Sequence, residues 1–326
     1  MKAYTIATFL FLLCFATTSK GQQNSFQAFF TPADTFNQTR FNYSLGFAAT
    51  TYTAFSIGLY NTWYRQYPQE SFHFFNDWEE WNQMDKAGHL YTSYFQGVLC
   101  YKGANWMGME KKNAILTGII CGTLFQSTIE VMDGFSSEWG FSVPDIGANI
   151  LGTTAFALQQ QYWNGQRIQI KMNSLPYSYP NISIEGAKGT EMTLNDRAND
   201  LFGRSFAERF LKDYNRQVIW ASVNIHSFFP ETKLPKWLNI ALGYVAENLY
   251  GGNENNWSKD GEAFILNEES YPRYSQFYLG LDVDFTKIKT NNQFVKSILS
   301  VFNIFKAPSP AIEVNTLGEI KFHLLR

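Results

Sequence analysis

Charge is scarce in this chain of 326 residues: Asp, Glu, Lys and Arg together make up 17%, no more than the aromatic residues. Such a composition excludes a disordered or coiled-coil protein and suits one living near lipid, where Trp and Tyr settle at the interface. Dense basic runs are missing, and the net charge is -2 with a pI near 6.1. That excludes nucleic acid as a partner, because phosphate binding needs clustered Lys and Arg. No glycine-rich phosphate loop and no nucleophile elbow occur. Internal repeats are absent as well, which sets solenoid architectures aside. Cysteines number three, too few for a disulfide framework. A mean hydropathy of -0.24 leans against a polytopic membrane protein, although it averages an apolar first half with a polar tail.

What is present begins with an address. Lys2, an apolar block from Thr5 to Ala16 and a polar exit through Thr17 to Gln22 read as an export leader. Its apolar core is too short to cross a bilayer, so residues 1–21 are expected to be a cleaved signal peptide. Cys14 follows Leu13 rather than a small residue, which argues against lipid modification there. The protein is therefore expected in the periplasm or the cell-envelope membrane. Cys100 and Cys121 remain, both in apolar helical stretches, and read as buried free thiols with a disulfide left open.

Residues 22–165 are expected to form a membrane-associated bundle of about four helices. Phe41 to Tyr64 lacks any charge and reads either as a partly buried helix or as a span. An aromatic run from Phe72 to Trp81 follows, in which Asn76 or Asp77 is expected to cap the next helix. That helix carries Asp85-Lys86-Ala87-Gly88-His89, and Asp85, His89, Ser93 and Gln96 draw a polar stripe at helical spacing. The next helix holds Gly118 and Gly122 at the spacing that lets helices approach closely, then Gln126, Glu130 and Asp133 as a second stripe. Ser142, Pro144 and Asp145 form a helix-start signature, and Asp145, Asn149 and Gly152 make a third. Three stripes on three packed helices would share one interior.

Residues 166–200, rich in Pro, Gly, Ser and Asn, read as a linker or long loop. Residues 201–326 read as a smaller α+β region, with a short helix at Arg204–Tyr214 and a strand-like stretch at Gln217–Phe229. In Tyr274–Phe285, Phe277, Leu279 and Leu281 alternate with Gln276, Tyr278 and Asp282. An amphipathic helix runs from Phe294 to Phe305, and a final hairpin turns at Asn315–Gly318. The fold class expected is α+β.

The candidate polar site comprises Asp85, His89, Glu130, Asp133, Asp145 and Asn149. Carboxylates and an imidazole in apolar helices are costly to bury unless paired or coordinating. His89 with carboxylates suits a divalent metal such as zinc, manganese or magnesium, or an acid–base pair acting on a phosphate or ester. A hydrogen-bonded network that fixes helix register accounts for the same residues, as does a ligand pocket without chemistry. Within that network Asp145 is expected to serve as a cap with Ser142, and Asp133 to make the turn at Gly134. His73, His226 and His323 read as packed or surface residues.

Taken in order, Asp85-Lys86-Ala87-Gly88-His89, Glu130, Asp133-Gly134, Trp139-Gly140-Phe141-Ser142, Asp145, Asn149 and Gly152 resemble the YfiM-type periplasmic lipoproteins, a family of unknown function. More loosely, the same order is similar to the VanZ-like membrane proteins linked to glycopeptide resistance. The likeness covers about Trp81 to Gly152. The carboxyl half, with Leu234-Pro235-Lys236-Trp237-Leu238-Asn239, resembles the long Bacteroidetes-type members, which implies a bacterial envelope origin. The YfiM lipoproteins carry a lipid-anchored cysteine that Cys14 does not match, so outer-membrane anchoring does not transfer. Neither family brings a reaction. Two functions are expected from this reading. One is a non-enzymatic envelope component, structural or binding, whose partners are membrane or envelope components. The other is a hydrolase-like enzyme on a lipid-linked or cell-wall substrate using His89 and Glu130.

Overall fold

The computed structural model describes residues 20–65, 67–174 and 177–326. Residues 1–19 of the expected signal segment, with Cys14, lie outside them. Helix α1 (Lys20–Phe30) leads into α2 (Gln38–Leu59), which Asn37 caps by accepting from the Arg40 amide at 3.0 Å. No residue of α2 is fully buried, but Phe41, Ser44, Tyr52, Phe55 and Ser56 are half-buried, so the helix is partly buried, as one of the two expectations had it. It touches α4 (Lys111–Asp133) through the Tyr52 hydroxyl, 2.6 Å from Thr128, and through the Phe125 ring.

The bundle proper is α3 (Met84–Trp106), α4 and α5 (Val143–Trp163). They pack closely because small residues meet at the crossings. A Cβ on Gly122 would stand 2.7 Å from the Ser93 carbonyl oxygen, and one on Gly118 2.6 Å from that of Gly97. At the α3–α5 crossing a Cβ on Gly152 would lie 2.3 Å from the Leu90 carbonyl. Cys100 and Cys121, on the facing helices α3 and α4, are free thiols.

The remaining chain builds a six-stranded antiparallel meander in the order β12-β11-β10-β7-β6-β3. Its strands are β3 (Ile168–Ser174), β6 (Gln217–Asn224), β7 (Leu238–Glu247), β10 (Tyr274–Val283), β11 (Ala311–Asn315) and β12 (Ile320–His323). Two-stranded ribbons are inserted between them, β4 (Ser183–Glu185) with β5 (Glu191–Thr193) and β8 (Asn256–Lys259) with β9 (Glu262–Ile265). Short helices α6 (Leu194–Phe202), α7 (Phe206–Lys212) and α8 (Ile225–Phe228), then α9 (Gln293–Phe302), complete the chain. Residues 166–200, expected as a linker or long loop, thus hold a sheet strand, a ribbon and the start of a helix. The Pro, Gly and Ser that suggested a loop mark the connections between these short elements instead.

Helix α3 is the wall shared by both halves. Met84 and Tyr91 pack into a core with Met172, Val218, Trp220, Ala241 and Val245 of the sheet. Trp81, Asn82 and Gln83 enter the helix with φ of 52, 48 and 59°, a left-handed run that side chains rarely adopt. Contacts from the carboxyl half hold it: Trp81 donates its amide to the Gly252 carbonyl at 2.8 Å, and the Asn82 side chain accepts from Arg273.

Along β10 and its neighbours the polarity is inverted. Phe277, Leu279, Leu281, Ile312 and Val314 face outwards and are exposed, whereas Gln276, Asp282, Glu313 and Asn315 are buried. The buried groups satisfy each other. Lys171 pairs with Asp282 at 2.8 Å, and Glu313 takes His323 at 2.5 Å and the Tyr278 hydroxyl at 3.1 Å. His323, expected as a packed or surface residue, is a partner in this network.

Because the Leu90 backbone cannot yield, Gly152→Ala is expected to lose about 1–3 kcal/mol of stability through overpacking. Gly147→Ala, on the same helix with open space around it, is expected to be neutral or to gain up to about 1 kcal/mol. Thermal or urea unfolding of both variants measures the contrast.

Candidate functional site

The site forms where the amino ends of α3 and α5 meet the carboxyl end of α4. A two-residue parallel clip, β1 (Phe74–Phe75) on β2 (Phe141–Ser142), fastens the aromatic run to the start of α5. This clip draws Asp77 inwards. Its carboxylate accepts from the Ser142 hydroxyl at 2.5 Å and from Lys86 at 2.6 Å. Ser142 caps α5 by accepting from the Asp145 amide at 3.1 Å, while its own amide donates to Glu130 Oε2 at 3.2 Å.

Lys86 and His89 divide the carboxylates between them. The Lys86 ammonium lies 3.2 Å from Asp85 Oδ2 and 3.1 Å from Asp145 Oδ1. Their other oxygens turn to the imidazole: His89 Nε2 is 3.8 Å from Asp85 Oδ1, 3.9 Å from Asp145 Oδ2 and 3.6 Å from Glu130 Oε1. On the far side of the ring, Nδ1 meets Asn149 Oδ1 at 3.2 Å. Tyr214, from the loop before β6, donates its hydroxyl to Asp85 Oδ1 at 2.6 Å.

Burial works against every one of these charges, and the neighbours decide the outcome. Asp85 is held at about 2, because His89, Lys86 and the Tyr214 hydroxyl outweigh the upward push of burial. Lys86 is held above its ordinary range by Asp85, Asp145 and Asp77 in spite of burial. Asp145 goes the other way: burial and the Asp85 charge raise it. Burial with the charge of Asp133 pushes Glu130 up to about 9. The cluster thus holds more carboxylate than its two bases neutralise.

Of the six expected site residues, Asp85, His89, Glu130, Asp145 and Asn149 come together, and Asp133 does not. Asp133 makes the expected turn at Gly134, its carbonyl accepting from the Ser136 amide at 3.0 Å, while its carboxylate accepts from the Tyr64 hydroxyl at 2.7 Å, just beyond α2. The expected cap of Ser142 with Asp145 is present, with Asp145 taking part through its backbone. Its backbone amide is what Ser142 caps, which leaves the carboxylate free to enter the cluster. Asp77 likewise caps no helix. The sequence reading missed Asp77, Ser142 and Tyr214 as members of the site. Spacing offers no signal for Tyr214, which is 129 positions from its partner. His73 is a structural residue, its Nε2 2.6 Å from the Trp139 carbonyl.

Residues 73–161 match the model of a family described as predicted periplasmic lipoprotein (DUF2279). The match contains every member of the cluster except Tyr214. No curated protein and no solved structure shows a significant match to the chain. The chain is an exported protein of the periplasm or cell envelope, and residues 73–161 are similar to a family of unknown function.

Lys86 is buried under three carboxylates. Lys86→Met is expected to cost about 3–5 kcal/mol, because Asp77, Asp85 and Asp145 lose their shared partner. Lys86→Arg, which keeps the charge, is expected to cost clearly less. Denaturant unfolding of the two variants tests this.

Proposed function

We propose that this chain is a membrane-associated component of the cell envelope, its apolar faces resting against lipid and its internal polar cluster serving binding. The observation that carries the reading is the inverted sheet. An antiparallel sheet in water turns its apolar side chains to the core and its polar ones to solvent. Here Phe277, Leu279 and Leu281 are 45–53% exposed, while Gln276 and Asp282 on the same strand are at most 5% exposed. Apolar-out and polar-in alternation is the pattern of strands that meet lipid.

The helices support the same reading. No residue of helix α2 is fully buried, and α4 and α5 expose Leu116, Ile120, Leu124, Ile150, Leu151 and Leu158. Soluble monomers rarely leave contiguous apolar patches of more than a few hundred Å² uncovered. Among the described residues one helix, Lys111–Asp133, is long and apolar enough to cross a membrane. The reading is one of association and assigns no crossing. The finer likenesses to YfiM-type lipoproteins and to VanZ-like membrane proteins belong to this proposal, and both families sit at an envelope membrane.

Flotation with vesicles of phosphatidylethanolamine and phosphatidylglycerol, in the absence of detergent, tests the proposal. The protein is expected to rise with the vesicles. The double variant Leu279→Asp, Leu281→Asp, which alters exposed positions only, is expected to lose most of that partition while remaining folded by circular dichroism. A protein that stays monodisperse in buffer and sediments apart from the vesicles would refute it.

A further inference from the structure

Helices α3 and α5 deliver three ligand-type side chains to one place, Asp85, His89 and Asp145, and Glu130 of α4 faces the same imidazole. The three carboxylate oxygens nearest His89 Nε2 stand 3.6, 3.8 and 3.9 Å away. A charge-assisted N–H···O bond needs about 2.7–2.9 Å, so the ring is bonded to none of them. A divalent ion with ligand distances of about 2.0–2.2 Å holds pairs of ligands roughly 3–4.4 Å apart, and all three separations fall within that range. Asp85, His89 and Asp145 also offer ligand atoms that lie within 4.8 Å of one another.

A second observation is independent of that spacing. Glu130 is 1% exposed, yet its Oε1 has no hydrogen-bond partner among the described residues. This is the same oxygen that is aimed at His89. Leaving a carboxylate oxygen unpaired at such burial is costly, and a bound cation removes the cost. The ring is also prepared for a ligand. Nδ1 lies 3.2 Å from Asn149 Oδ1, and with Nδ1 as the donor there, Nε2 is the nitrogen that would take a ligand. Tyr214 and Lys86 hold Asp85 in place, and Lys86 holds the far oxygen of Asp145.

We infer that Asp85, His89 and Asp145 bind one first-row divalent cation, of the zinc or manganese class that suits imidazole with carboxylates, with the unpaired Glu130 carboxylate beside it on the His89 side. Asn149 and Tyr214 act as positioning residues. The inference deepens the internal binding site of the proposed function and does not depend on contact with lipid.

The full chain, purified in detergent and stripped with a chelator, is titrated calorimetrically with Zn²⁺ and Mn²⁺. The Mn²⁺-loaded protein is then examined by electron spin-echo spectroscopy. One ion per chain is expected, with an unfolding temperature that rises with ion concentration and a ¹⁴N coupling from a coordinated imidazole. Glu130→Gln and Asp145→Asn are each expected to weaken binding about tenfold or more, while Glu319→Gln, exposed on the last hairpin, leaves it unchanged. Should either variant not fold, the spin-echo signal of the unaltered protein decides. Absence of stoichiometric binding, absence of the nitrogen coupling, or undiminished binding by folded Glu130→Gln and Asp145→Asn overturns the site. A stripped chain that binds neither ion yet floats with vesicles refutes the cation site alone, and one that binds but does not float refutes the lipid reading alone.

Discussion

A buried ammonium with three carboxylates around it is the constraint on which the amino-terminal half depends. Charges taken out of water must be paired, and pairing demands fixed geometry. Lys86 therefore ties the first turn of α3 to Asp77 in the preceding loop and to Asp145 in the first turn of α5. The requirement reaches outwards from there. Asp77 reaches Lys86 only because the β1–β2 clip brings the aromatic run alongside Ser142. The helices come close enough only because glycines stand at the crossings.

The carboxyl half obeys the same rule with different elements. Its buried polar groups pair along the inner face of the meander, as Lys171 does with Asp282 and Glu313 with His323. The two halves are not independent. Tyr214 carries a hydroxyl from the loop before β6 into the cluster, and the left-handed turn at Trp81–Gln83 is held by Gly252 and Arg273. The sheet thus acts as a brace for the helical site, setting the angle at which α3 begins.

Much of the helical half was legible because helical spacing is a local property. Asp85 and His89 four apart, Glu130 and Asp133 three apart, and the Ser142, Pro144 and Asp145 signature all placed their residues on the right helices. Reading fell short where one residue has two functional groups with different destinations. At Asp145 the amide serves the cap and the carboxylate serves the cluster. It failed too where polar composition was taken for loop, as in residues 166–200, since short strands in a wide sheet carry little periodic signal.

Period alone determined which residues share a face: Asp85 with His89 on α3, and Phe277 with Leu279 and Leu281 on β10. Tertiary structure alone decided what each face meets. It turned the apolar face of β10 outwards and the polar one inwards, brought Tyr214 to Asp85, and left Asp133 with Tyr64 instead of His89. The physical reason is that alternation and helical spacing arise from the local backbone, whereas burial depends on every other element packed against it.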